Sequence, residues 1–193
     1  MIKTIIFDFD GTLADCKKLH QDGFRDAVNQ LCHNANFDDE LVEGRPTREK
    51  IRILHTLGYQ FNGDKLNEIK QAHTQTHIEK YISYNEDLAI QLERLSKKYK
   101  LCLATNATQA FINRSLDIMK IKHYFTKINP ATDFPAKPDT ITFLDCMKYT
   151  GSAPPTTLIV EDSPVGIQCA RATGSKVLEV NNVEDTIRKI KQL

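Results

Sequence analysis

Short apolar runs and longer amphipathic stretches alternate along most of this chain. Four runs stand out: residues 4–7, 101–104 (Leu-Cys-Leu-Ala), 157–160 (Thr-Leu-Ile-Val) and 177–180 (Val-Leu-Glu-Val). Each is too short for a helix and apolar almost throughout, the pattern of strands buried on both faces of a parallel sheet. Thr126-Lys127-Ile128 is a weaker fifth candidate. Between the runs the spacing turns helical. Leu88, Leu92 and Leu95 make one stripe, and Ile112, Leu116 and Met119 make another. Ile167 and Ala170 mark a shorter helix that starts at Pro164, where proline suits the first turn. Strands alternating with helices from residue 85 onward predict right-handed βαβ units and an α/β, doubly wound parallel sheet.

Residues 15–84 follow another rule. Phe24, Ala27, Val28 and Leu31 have the i, i+3, i+4, i+7 spacing of an amphipathic helix. Ile51, Leu54 and Leu57 predict a second, entered at Thr47 and ended by Gly58. Leu66, Ile69 and His73 begin a third that runs towards Tyr84. With no strand-like run in the stretch, residues 15–84 read as a helical domain inserted after the first strand. Residues 1–14 and 85–193 then form a Rossmann-like core.

Bulk composition narrows the function. The 193 residues are 40% hydrophobic and 26% charged, ordinary for a soluble globular chain, and suffice for one core plus a small accessory domain. A formal net charge of +1 supplies no field to draw nucleic acid or an anionic membrane. No apolar run approaches the roughly 18 residues of a spanning helix. Met1-Ile2-Lys3 enters the first strand directly, without the apolar region of a signal peptide. Five scattered cysteines without a CxxC pair suggest reduced thiols in a cytoplasmic protein, not a disulfide framework or a zinc site. Nothing demands more than a monomer.

Chemistry concentrates at the ends of the apolar runs. Asp8 and Asp10 have the spacing that sends two side chains to one side of an extended segment, and Gly11 permits a sharp exit. At the carboxyl end of a buried strand, where open α/β sheets hold ligands, such a pair can bind a hard cation, attack an electrophile or divide acid and base roles. The plainer alternative is a solvated turn. The second run continues into Thr105-Asn106, a hydroxyl and an amide able to bind phosphate oxygens or to cap a helix. The 157–160 run continues into Glu161-Asp162-Ser163, again either functional or a cap for the helix at Pro164. Four acids on one sheet edge repel unless a divalent cation or a lysine compensates, and Lys137 is the candidate lysine.

Taken in order, DFDGT at 8–12, Thr105, Lys137-Pro138 and EDSPVGIQCARATG at 161–174 closely resemble the four motifs of the haloacid dehalogenase superfamily. The resemblance spans essentially the whole chain, and the helical insert resembles the small cap of its sugar-phosphate phosphatases and β-phosphoglucomutases. It implies stepwise phosphoryl transfer to and from a small phosphate ester. Asp8 is implied as the nucleophile that becomes an aspartyl-phosphate, and Asp10 as the acid and then the base. Mg²⁺ is implied on an Asp8 oxygen, the Asp10 carbonyl and Asp162, with Glu161 in support through water. Thr105, Asn106 and Lys137 are implied as holders of the phosphoryl group. One departure concerns the lysine motif, which reads Lys137-Pro138-Asp139-Thr140-Ile141. The acid that steadies the family's lysine is out of register, and Asp139 is the candidate to replace it. Dehalogenation is disfavoured because Asp10 is present.

In this cap class the residues after the first motif and a loop between cap helices reach the substrate. Here these are Asp15, Cys16 and His20, and the segment Glu43–Lys50 with its basic Arg45 and Arg48. Arg48 is the first choice as a clamp for an anionic or polyhydroxylated substrate. His73 and His77 share a helix face at zinc-binding spacing, but no third ligand is evident. The resemblance therefore implies a Mg²⁺-dependent phosphatase of sugar phosphates or similar metabolites. The alternatives are a phosphomutase and, from another class, a catalytically silent binding module.

Overall fold

The structure is a computed structural model that describes residues 1–33, 35–42 and 45–193. Five parallel strands, β1 (Thr4–Phe7), β2 (Lys100–Ala104), β3 (Phe125–Asn129), β4 (Thr157–Glu161) and β5 (Lys176–Glu179), form a sheet in the order β3-β2-β1-β4-β5. All four expected strands and the weaker fifth are present. β1 lies at the centre, with Ile5 opposite Leu101 on one side and Leu158 on the other. That position explains why its four residues are all buried. β3 is an edge strand and tolerates Lys127, which is why its apolar signal is weak. The chain builds outward from β1 to β3 and then resumes beyond β1 with β4. This reversal places the ligand crevice of an open sheet outside the carboxyl ends of β1, β2 and β4.

Two compact units divide the chain. One comprises Met1–Cys16 and Ile82–Leu193 and contains the sheet. The other, Lys17–Tyr81, contains α1 (Lys17–Leu31), α2 (Thr47–Thr56) and α3 (Gly63–Tyr81). α2 starts at the expected Thr47, although Pro46 before it offers no side-chain cap, and Gly58 follows at φ +93°. α3 stops three residues short of Tyr84. The helical unit has its own core, in which Phe24, Ala27 and Val28 of α1 meet Leu54 of α2 and Leu66 of α3.

The sheet unit carries α4 (Glu86–Ser96), α5 (Gln109–Met119), α6 (Ile141–Thr150), α7 (Pro164–Ala172) and α8 (Val183–Ile190). α4 and α5 bury the residues their spacing singled out, while α7, with Pro164 in its first turn, buries Ala170 and leaves Ile167 half-buried. α6 escapes the pattern because Ile141 and Leu144 are exposed while Thr142, Phe143, Cys146 and Met147 are buried. Its inner face joins Ile6, Cys102 and Ile159 of the sheet in one core. The cysteines are free thiols, four of them buried. No helix among the described residues is long and apolar enough to cross a membrane.

Candidate active site

β1 does not end abruptly. Asp8 N–H still donates to Val160 O at 3.0 Å, so the strand's path holds through the first acid. A tight turn follows, with Gly11 at φ +83° and Leu13 N–H donating to Phe9 O at 2.8 Å. Phe9, between the two acids, is fully buried and packs edge-on against Phe111. The turn needs glycine twice over, since a side chain at Gly11 would overlap the Asp162 carboxylate.

Lys137 supplies the compensating charge that four acids on one edge require. Its Nζ lies 2.5 Å from Asp8 Oδ1 and 2.7 Å from Glu161 Oε2, with the Phe143 ring 5.0 Å away. The side chains of all three partners are under a tenth exposed. Burial alone would lower the lysine's proton affinity, but the two carboxylates more than offset it and hold the ammonium above its usual range. Burial and the Glu161 charge push Asp8 upward, against the pull of Lys137.

Glu161 is fully buried and fully engaged. Its Oε1 accepts from Ser163 Oγ at 2.9 Å and from the Asp162 and Ser163 backbone N–H groups, both at 3.2 Å. Ser163 Oγ in turn accepts from Gly166 N–H at 3.1 Å, so the helix cap is Ser163 and the two acids are left for other work. Asp162 accepts from Thr12 Oγ1 at 3.1 Å, a contact that no sequence signal announced beyond a threonine after Gly11. Burial first, then Glu161, raise the Asp162 carboxyl to about 6. Ligand atoms of Asp8, Glu161 and Asp162 all lie within 4.8 Å of one another. Three carboxylates against one ammonium leave excess negative charge on an all-oxygen donor set, which fits a hard divalent cation such as Mg²⁺.

At the end of β2, Thr105 Oγ1 accepts from Ala107 N–H at 3.1 Å and retains its own proton for donation. The cap of α5 is Thr108, not Thr105 or Asn106. Asn106 Oδ1 accepts from the backbone N–H of Lys137 at 2.8 Å. Asp139 does not steady the lysine. Its Oδ1 accepts from Ile141 N–H at 2.9 Å in the first turn of α6, and Glu161 with Asp8 take the place it was expected to fill. Asp10 is half-buried in the turn that follows β1, and its charge, after burial, pushes the thiol of Cys16 up.

The expected substrate-contacting residues divide between the two units. Asp15 and Cys16 belong to the sheet unit, whereas His20, Arg45 and Arg48 belong to the helical unit. His20 is half-buried on α1. Arg45 is already paired with Glu49 at 2.5 Å and donates to Leu41 O, while Arg48 is exposed on α2. Glu43 and Gly44 lie outside the described residues. His73 Nδ1 sits 2.9 Å from Asp26 Oδ2 and joins α3 to α1, with the His77 ring stacked on it.

The chain is 25% identical over 184 residues to the fructose-1-phosphate phosphatase YqaB of Escherichia coli, covering 91% of this chain and 95% of that protein. It is 24% identical over 177 residues to the phosphoglycolate phosphatase of Aquifex aeolicus, covering 91% and 83%. A crystal structure of β-phosphoglucomutase from Clostridium difficile shares the fold at a TM-score of 0.76, with 24% identity over 96% of this chain and 87% of that one. Residues 5–180 match the haloacid dehalogenase-like hydrolases, and the chain belongs to that family.

Proposed function

We propose that this enzyme is a Mg²⁺-dependent phosphatase acting on a small phosphate monoester, a sugar phosphate or similar metabolite. The observation that carries the reading is the buried Lys137 ammonium between Asp8 and Glu161, with Asp162 beside them at the carboxyl edge of the sheet. A structural ion pair needs neither the surplus carboxylate nor the open sheet edge. The names of the phosphatase relatives support the same chemistry.

In this reading Asp8 attacks phosphorus, forming an aspartyl-phosphate as the bond from phosphorus to the leaving oxygen breaks. Asp10 gives that oxygen its proton. A water then attacks the same phosphorus and gives a proton back to Asp10, and the Asp8–phosphorus bond breaks to release phosphate. Lys137 and Thr105 hold the phosphoryl oxygens, so most of the catalysis is positioning and charge neutralisation. Asp8 and Asp162, with the Asp10 carbonyl and support from Glu161, would hold Mg²⁺, which supplies further neutralisation of the phosphoryl charge. Substrate choice is assigned to the helical unit as a cap, through His20 and through Arg48 in preference to Arg45, whose guanidinium Glu49 already occupies.

The test is free-phosphate release from a panel of phosphorylated metabolites by the Mg²⁺-loaded protein. Wild type releases phosphate, while Asp8→Asn and EDTA-treated protein do not. Undiminished release by Asp8→Asn would sink the mechanism. Conversion of a hexose 1-phosphate to its 6-phosphate without release would make the enzyme a mutase, and a folded protein inert towards every ester would be a binding module.

A further inference from the structure

Lysine is a flexible four-carbon stem, so where its ammonium sits depends on where its backbone begins. For Nζ of Lys137 to meet Asp8 and Glu161 together, the 130–140 loop must be fixed. The acid expected to help is turned away, since Asp139 caps the start of α6. What holds the loop comes instead from the end of β2. Asn106 Oδ1 accepts the Lys137 backbone N–H at 2.8 Å, across 31 residues of sequence. Next to it Ala131 N–H donates to Ala107 O at 3.0 Å, and Thr105 N–H donates to Asn129 O at 3.1 Å. On the far side, Cys169 Sγ donates to Asp139 O at 3.2 Å. The loop is thus stitched along one flank to the strand-end that carries Thr105.

From this we infer that Asn106 is a positioning residue for Lys137: its amide oxygen sets the backbone from which the lysine reaches the phosphoryl site. The sequence-level role, direct phosphate binding, uses the other end of the same side chain. The amide oxygen, an acceptor, takes the Lys137 N–H, and direct contact with phosphate would fall to the Nδ2 hydrogens. The two roles make different predictions, because positioning passes through Lys137 and direct contact does not.

This inference rests on Lys137 being a phosphoryl ligand, but one arm of its test does not. Amide hydrogen exchange at Lys137 reads the clamp without any substrate. Asn106→Ala should speed that exchange about tenfold or more, the scale of one lost hydrogen bond, whereas Asn106→Asp, which keeps an acceptor oxygen, should preserve protection. Unchanged exchange in Asn106→Ala overturns the clamp. The second arm is a double-mutant cycle on the binding of inorganic phosphate by Asn106→Ala, Lys137→Ala and the pair. Positioning predicts about a tenfold loss from Asn106→Ala alone and no further loss once Lys137 is gone. Losses that multiply in the double variant overturn positioning in favour of direct contact. If wild type binds no phosphate and hydrolyses nothing, the proposed function fails, and the exchange arm still decides the clamp.

Discussion

Lys137 and Asp8 lie 129 residues apart in sequence, yet the lysine's Nζ stands 2.5 Å from the aspartate's Oδ1 in a site almost closed to water. Removing the ammonium leaves Asp8 and Glu161 buried and facing each other without compensation. Breaking a buried ion pair from one side typically costs about 3–5 kcal/mol. Lys137→Met should therefore lower the melting temperature as well as kcat, the latter by about a hundredfold or more, the scale of a lost charge-stabilising group. Calorimetry and phosphate release on one preparation check both. A variant with wild-type stability and slow turnover would show that the lysine's structural share is small.

On the proposed function, surplus negative charge at Asp8, Glu161 and Asp162 would make the folded state a cation receptor. A ligand held only by the folded chain at a hundredfold over its Kd adds about 2.7 kcal/mol. For a chain of this length each kcal/mol moves Tm by roughly 2–4 °C. Saturating Mg²⁺ should thus raise Tm by about 5–10 °C, and Asp162→Asn should abolish most of that shift. Thermal scans with and without EDTA read the difference directly. An equal shift in Asp162→Asn would remove Asp162 from the metal's ligands.

Gly166 gives a test whose expected sign is opposite to the usual one. It lies inside α7, where glycine to alanine normally gains about 1 kcal/mol. Here a Cβ would overlap the Glu161 carboxyl group, itself held by Lys137 and Ser163. Gly166→Ala should destabilise and slow the enzyme by displacing Glu161. In a Glu161→Ala background the clash disappears, and the same change should recover the helix-propensity gain. Denaturant midpoints of the four proteins decide it.

Much of this site could be read from the sequence, for identifiable reasons. Strand ends were legible because β1, β2 and β4 are buried almost throughout and are therefore apolar through their middles. Asp8 and Thr105 just past β1 and β2, and Glu161 as the last residue of β4, followed at once. Partnerships were less legible. Counting charges called for a divalent cation or a lysine and made Lys137 the candidate, but the choice of Glu161 over Asp139 as its second partner depends on where the 130–140 loop turns. Asp139 is the nearer acid in sequence, and a local hydrogen bond to Ile141 N–H claims it. Thr12 and Gly166 were invisible for a related reason. A threonine after glycine and a glycine in a helix acquire a role only when Asp162 and Glu161 are brought against them from β4. Likewise α6 was hidden because the apolar Ile141 and Leu144 on its outer face blur the stripe its inner face would show.

In the helical unit, the Asp26–His73 pair predicts an acid-sensitive contribution to stability. The hydrogen bond from His73, ahead of smaller effects, holds the Asp26 carboxyl below its ordinary 3.8. A carboxyl whose pKa is depressed by folding stabilises the folded state above its unfolded value. It loses that contribution as pH falls through the folded value, so the window lies below about pH 4. Asp26 is 40% exposed, and solvent screening limits the pair to less than about 1 kcal/mol. Asp26→Ala should therefore destabilise at pH 7 and progressively less towards the lowest pH at which wild type remains folded. Urea midpoints of both proteins at the two pH values make the comparison. A destabilisation equal at both would mean that Asp26 acts through packing of α1 against α3, with its charge irrelevant.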